Sequence, residues 1–90
     1  MMTENRKNII VNYSPFTLDQ TVHCWVNGDC TEVRRCAIHE IPSTVNALRR
    51  KYQVQKIELV GPGDYVEGLQ KDFVNSTFDF KDCEISIINR

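Results

Sequence analysis

The main structural signal of the chain lies at residues 21–38, which read TVHCWVNGDCTEVRRCAI. Two strand-forming runs flank the segment NGDC at 27–30. Such runs on both sides of an Asn-Gly or Gly-Asp pair are a strong signal for a β-hairpin. With the loop centred on Gly28-Asp29, Cys24 faces Val33 across the hairpin. The stretch therefore predicts two antiparallel strands joined by a tight turn.

The predicted register also sorts the hairpin side chains into two faces, because successive side chains of a strand point to opposite sides. The predicted core face consists of Val22, Cys24, Val26, Val33 and Ala37. The other face carries Trp25, Cys36 and Ile38. Unless something covers it, that second face leaves an apolar surface on the molecule.

The rest of the chain extends the hairpin into a sheet with two helices. Nine Val and eight Ile against four Leu favour strands. Apolar periodicity predicts strands at 8–13, 55–60 and 83–88, and helices at about 43–52 and 64–74. The second helix is predicted to bury Val66, Leu69 and Phe73. The order is β-β-β-α-β-α-β, with an antiparallel meander followed by two right-handed crossovers. We predict a single α/β domain over residues 1–90, with a five-stranded mixed sheet and two helices.

Composition excludes several classes of protein. The chain has 90 residues, a formal net charge of −1 and 41% hydrophobic residues, as in an ordinary globular domain. No apolar run approaches the ~20 residues that cross a bilayer, and the amino-terminal residues are polar, so we predict no membrane contact and a cytoplasmic location. This net charge supplies no long-range field that would gather nucleic acid.

The four cysteines, Cys24, Cys30, Cys36 and Cys83, do not form a recognisable metal or disulfide pattern. Under the predicted register Cys24 and Cys36 point to opposite faces, and Cys30 lies ~20 Å from Cys36 along the strand. Zinc sites usually use close Cys-x-x-Cys or His pairs, and the spacing Cys24-x5-Cys30-x5-Cys36-x2-His39 contains only the last short pair, with His23 also near. We predict reduced thiols, with no metal and no cofactor.

The element order resembles the core of the ribonuclease H-like superfamily, which includes nucleases, resolvases and, in doubled form, the actin-like ATPases. The resemblance is carried by residues 9–15 as the first strand and by residues 57–64 with Gly68-Leu69. The second segment looks like the adenosine-side loop of actin-like ATPases, where a strand ends in paired glycines before a helix. The resemblance implies that the third and last strands are the sheet edges.

The chain departs from that superfamily at the positions that carry chemistry. Nucleases of this kind need several carboxylates to hold two divalent metals. This chain has Asn12 where the family places an aspartate, no acid in the helix at 43–52, and only Asp64 near the fourth strand. The phosphate loop of the actin-like ATPases is also missing after the first strand. We therefore predict a non-enzymatic protein.

One alternative function is a nucleotide or nucleic-acid site at the turn formed by Gly61, Gly63 and Asp64. The amino end of a helix attracts anions. However, the proline between the two glycines removes one N–H, no lysine follows, and the Asp64 carboxylate would repel phosphate. The basic residues Arg34, Arg35, Arg49, Arg50 and Lys51 could contact nucleic acid, with Trp25 and Tyr52 as stacking surfaces. Twelve acidic residues in the chain make a solvated charged face the better interpretation.

The favoured function is a small interaction or assembly module that forms a homo-oligomer or binds a protein partner. Two helices cannot cover both faces of five strands, and the last strand is an unprotected edge. The predicted interface residues are Trp25, Ile38, Ile85, Ile87 and Ile88. From its small size and general character, we predict an accessory protein of a phage or mobile element.

Overall fold

The computed structural model describes residues 6–89 and confirms the predicted order of five strands and two helices. The strands are β1 (Lys7–Asn12), β2 (Asp19–Val26), β3 (Asp29–Ala37), β4 (Lys56–Gly61) and β5 (Glu84–Asn89). The helices are α1 (Ile41–Tyr52) and α2 (Gly63–Asn75), and a short 3-10 turn (Ile38–Glu40) leads into α1.

The strands form one mixed sheet in the order β3-β2-β1-β4-β5. β1, β2 and β3 are antiparallel neighbours, whereas β4 runs parallel to β1 and β5 runs parallel to β4. Both β-α-β crossovers are expected to be right-handed and to advance in the same direction, so α1 and α2 cover the same face. α1 packs on β1, β2 and β3, and α2 packs on β4 and β5. The edges are β3 and β5, as expected.

The core lies between the two helices and one face of the sheet. α2 contributes Val66, Leu69 and Phe73, which confirms its predicted buried side. The opposite sheet face carries no helix among residues 6–89, and we call it the uncovered face. The strand registers place these apolar residues on it: Ile10, Trp25, Val33, Val60 and Ile88.

The register predicted for the hairpin is wrong. Asn27 and Gly28 have φ angles of 54° and 88°, so they form the two-residue turn by themselves. Trp25 therefore faces Cys30. The register then shifts by one residue at Thr31, as in a β-bulge, and Cys24 faces Glu32 instead of the predicted Val33.

This shift reverses the predicted faces of the later part of β3. Cys36 is buried in the same core cluster as Cys24, although the two thiols were predicted to point apart. Val33 lies on the uncovered face and is 50% exposed, although it was predicted in the core. Burial raises the pKa of both the Cys24 and the Cys36 thiols.

Gly68 in α2 is exposed, and a Cβ there would meet nothing within 4 Å. Phe80 is buried, with its ring centre 5.0 Å from that of Phe73. The Arg49 guanidinium lies 5.1 Å from the centre of the Phe80 ring.

Glu32 connects β3 to the last turn of α1. Its carboxylate accepts hydrogen bonds from the Lys51 ammonium at 2.9 Å, from the Tyr52 hydroxyl at 2.8 Å and from the Arg34 guanidinium. These hydrogen bonds lower the pKa of the Glu32 carboxyl from 4.5 to about 2, and the bond from Lys51 is the largest cause. The bulge at Thr31 makes the contact possible, because it turns Glu32 toward the helices.

We expect Glu32→Gln to reduce the dependence of stability on pH between about 4.5 and about 2. The pKa of Glu32 is lower in the folded chain, so its ionised form stabilises the fold above the unfolded pKa. That stabilisation is lost as pH falls through the folded pKa. Urea unfolding at pH values from 2 to 6 measures the slope, with Glu67→Gln on exposed α2 surface as the control. Equal slopes in wild type and Glu32→Gln would contradict the prediction.

Candidate functional site

The segment at residues 13–18 joins β1 to β2, and we call it the β1–β2 loop. It borders a groove of about 880 Å³ at the carboxyl ends of β1 and β4. Apart from Gly61 at the end of β4, the strand residues that line this groove belong to the uncovered face: Asn12, Asp19, Thr21, Arg35 and Val60. The groove therefore lies between the loop and one end of that face.

A fully buried glutamine holds the β1–β2 loop in place. Gln20 is 1% exposed, and its side-chain oxygen accepts a 2.7 Å hydrogen bond from the Ser14 amide. Its side-chain nitrogen donates to the carbonyl oxygens of Ser14 at 2.8 Å and of Thr17 at 3.0 Å. The Thr17 hydroxyl adds a 3.0 Å bond to the Asp19 carbonyl. A loop with these bonds has little conformational freedom left to lose when it binds something.

The same loop presents two large apolar side chains to solvent. Phe16 is 89% exposed and Leu18 is 91% exposed. Both residues line the groove. Phenylalanine is among the aromatic residues that are enriched at protein–protein interfaces.

Gly61 lies where β4 ends beside the loop. The Tyr13 amide donates a 2.8 Å hydrogen bond to the Val60 carbonyl, which continues the β1–β4 pairing by one residue. A Cβ on Gly61 would lie 2.7 Å from the Tyr13 carbonyl oxygen. Glycine is therefore required here by the close approach of two backbones.

The other two residues predicted for the ligand turn lie elsewhere. Gly63 packs against the Asn89 side chain, whose nearest atom would be 2.9 Å from an added Cβ. Asp64 is exposed in the first turn of α2 and lines a different depression, next to Tyr65. The structure thus places only Gly61 of the three in the groove.

The predicted interface residues lie in three places. Trp25 and Ile88 are on the uncovered face, and the buried indole N–H of Trp25 has no hydrogen-bond partner among the described residues. Ile85 and Ile87 face the helices and pack against the core. Ile38 lies in the 3-10 turn before α1.

Two of the predicted basic residues of α1 have structural partners. Arg49 donates to the Asn46 side chain at 3.0 Å and to the Asp79 carbonyl at 2.6 Å. Lys51 is paired with Glu32. Arg35, in contrast, is exposed and lines the groove.

The cysteines are free thiols, and Cys30 Sγ lies 3.8 Å from Nδ1 of His23 on the uncovered face. Among residues 6–89, no three His, Cys, Asp or Glu side chains are grouped so that they could hold a metal ion. The described helices also include none with the length and apolar character needed to span a bilayer.

Comparisons with protein-family models, with curated proteins and with solved structures found no match to this chain. Its function must therefore be argued from the geometry of the loop and groove.

Sequence reasoning missed the three residues that define this site, Phe16, Leu18 and Gln20. A signal for two of them was present, because apolar residues directly after Ser14-Pro15 occupy a loop, where polar residues are usual. Gln20 gave no such signal. Its role depends on the turn of the chain that brings Ser14 and Thr17 back over it.

Proposed function

We propose that this protein is a non-catalytic binding module that holds a protein partner at the β1–β2 loop. The observation that carries the proposal is the exposure of Phe16 and Leu18, about nine-tenths each, on a loop that Gln20 fixes with three hydrogen bonds. Apolar side chains on a rigid loop bury area on binding without a large entropic cost. The adjacent groove provides room for side chains of the partner.

A protein is favoured over nucleic acid because of the charges at the groove. Among residues 6–89, the lining contains one cation, Arg35, and one carboxylate, Asp19. Nucleic-acid affinity depends on several cations placed along the phosphate backbone. The net charge of −1 does not compensate for that shortage.

The alternative, nucleotide or nucleic-acid binding at the Gly61–Asp64 turn, stays a prediction. A thermal shift with ATP tests it, since a ligand at 100 times its Kd adds about 2.7 kcal/mol of stability.

We also propose that the domain is ribonuclease H-like and acts in the cytoplasm as an accessory protein of a phage or mobile element. The β3-β2-β1-β4-β5 order supports the fold assignment. Asn12, which lines the groove where the superfamily places an aspartate, supports a binding role without catalysis.

Site-specific photo-crosslinking in the native host tests the binding proposal. A photoreactive phenylalanine analogue at position 16 is expected to capture one predominant protein. The same analogue at Ala47, which is exposed on α1, is the matched control. A position-16 adduct that is missing, or that appears equally from position 47, would contradict the proposal.

The double substitution Phe16→Ser with Leu18→Ser is expected to weaken partner binding by at least about 30-fold, which corresponds to the loss of one binding hot spot. Both side chains are almost fully exposed, so the free energy of unfolding is expected to change by no more than about 0.5 kcal/mol. Titration with the captured partner and urea unfolding measure the two quantities. A large loss of stability would show that the side chains serve the fold instead.

A further inference from the structure

The two edge strands of the sheet differ in how well they are protected. β3 contains a bulge at Thr31 and carries the charged side chains of Glu32, Arg34 and Arg35. β5 pairs with β4 in an unbroken register from Glu84 to Asn89, and Glu84 is its one charged residue. Proteins that stay monomeric usually blunt such edges with bulges, charges or proline. β5 has the character of a strand that pairs with another chain.

The direction of the β5 backbone groups defines which residues can pair. The Glu84 amide donates a 2.7 Å hydrogen bond to the Gln55 carbonyl, on the side of β4. Backbone groups alternate in direction along a strand, so those of Ser86 and Ile88 also point to β4. Those of Ile85, Ile87 and Asn89 point to the open edge.

Apolar side chains accompany this open edge on the helix side of the sheet. Ile85 and Ile87 are only partly buried there. Val74 of α2 is 75% exposed and borders the same groove of about 440 Å³ as Ile85 and Phe78. A strand added to β5 would cover this apolar strip and would also form hydrogen bonds with the backbone groups that point to the open edge.

We infer that β5 pairs antiparallel with β5 of a second copy of this chain, about a two-fold axis, so that one sheet of ten strands forms. The inference does not depend on the proposed binding loop, which lies after β1. Because this two-fold axis is perpendicular to the sheet, the helix-covered faces of both copies lie on the same side of the joint sheet. Residues that face each other must then both have odd numbers or both have even numbers.

The register centred on Ser86 fits the side chains best. It places Ile85 opposite the partner's Ile87, and Ile87 opposite the partner's Ile85, with their backbone groups directed at each other. Ser86 faces Ser86 of the partner subunit. Glu84 faces the partner's Ile88, so no two carboxylates meet. A register centred on Ile87 would place Ile85 opposite an asparagine, which is a poorer apolar match.

This self-complementarity is the reason to name a second copy as the occupant. The β5 sequence supplies apolar partners for its own isoleucines and a small neutral residue at the axis. Cross-strand pairs of this kind are the unit of sheet stabilisation, whereas like charges placed opposite each other are destabilising. The contact at Ser86 therefore gives a specific way to break and restore the dimer.

Charge variants at Ser86 test the inference. The wild type is expected to be a dimer by sedimentation equilibrium at tens of micromolar. Ser86→Lys alone and Ser86→Glu alone are each expected to weaken the dimer at least tenfold, because like charges meet at the axis. An equimolar mixture of the two is expected to restore a dimer, which native mass spectrometry identifies as a heterodimer. The restored heterodimer would also show that both variants fold.

Two comparisons complete the test. Ser86→Thr leaves position 86 neutral and is expected to leave the dimer intact. The Phe16→Ser/Leu18→Ser variant is also expected to remain a dimer, which would show that this interface is separate from the binding loop. A monomeric wild type would overturn the inference. A dimer that the two charge variants do not weaken would overturn it as well, because the copies would then meet at another surface.

Discussion

Replacing Gly61 by alanine is expected to lower the free energy of unfolding by about 2–3 kcal/mol. A Cβ here would lie 2.7 Å from the Tyr13 carbonyl oxygen and 3.1 Å from a methyl carbon of Val66. Tyr13 cannot move away easily, because its amide is bonded to the Val60 carbonyl at 2.8 Å. Gly-to-Ala changes elsewhere gain about 0.4–1 kcal/mol through the unfolded chain, which is less than this clash costs. Urea unfolding measures the net effect.

Gly68→Ala is the matched control, and its effect is expected to have the opposite sign. Gly68 lies inside α2, is exposed, and offers open space to a Cβ. Alanine there should raise the free energy of unfolding by up to about 1 kcal/mol, because glycine is a poor helix former. If both variants lost or gained stability alike, the backbone contact between Gly61 and Tyr13 would not be the cause.

The parts of the fold that the sequence predicted depend on strong local signals. The buried side of α2 follows from helical spacing, and the turn at 61–63 follows from its glycines and proline. The order of strands and helices then leaves few topologies, because right-handed crossovers exclude most of the others. These predictions stay correct even when the predicted ends of a helix or strand are wrong by one or two residues.

The hairpin register was wrong because it depends on a single residue. The segment NGDC at 27–30 allows a turn at Asn27-Gly28 or at Gly28-Asp29, and the left-handed conformation of Asn27 selects the first. The bulge at Thr31 then moves the rest of β3 back by one position, so that Cys24 faces Glu32. Local sequence patterns do not encode such a bulge, yet it decides that Glu32 and Cys36 face the helices.

The binding loop was missed for a different reason. Strand and helix periodicity identify residues that are buried, whereas Phe16 and Leu18 matter because they are not buried. The buried residue that supports them, Gln20, follows the first residue of β2, and its side chain resembles that of any exposed glutamine in the sequence. Its partners are backbone atoms, which carry no sequence signal.

Replacing Gln20 by methionine is expected to lower the free energy of unfolding by about 2–4 kcal/mol. Methionine is unbranched and similar in length, so the packing volume changes little. It cannot replace the three hydrogen bonds that Gln20 makes with the backbone of Ser14 and Thr17. Each bond contributes about 0.5–1.5 kcal/mol, and backbone groups left without a partner cost more. Urea unfolding measures the loss.

The consequence for the loop separates the role of Gln20 from a general loss of stability. Amide hydrogens of the β1–β2 loop are expected to exchange with solvent faster in Gln20→Met. The exchange rates of amides in β1 and β4 are expected to rise only by the amount that the loss of global stability explains. Crosslinking from position 16 should weaken, although the photoreactive group is still present, because a mobile loop pays an entropic cost on binding. Gln55→Met, at an exposed glutamine, should change neither quantity. If Gln20→Met left the exchange and the crosslink unchanged, the loop would hold its shape without Gln20, and the rigidity on which the proposed function depends would need another source.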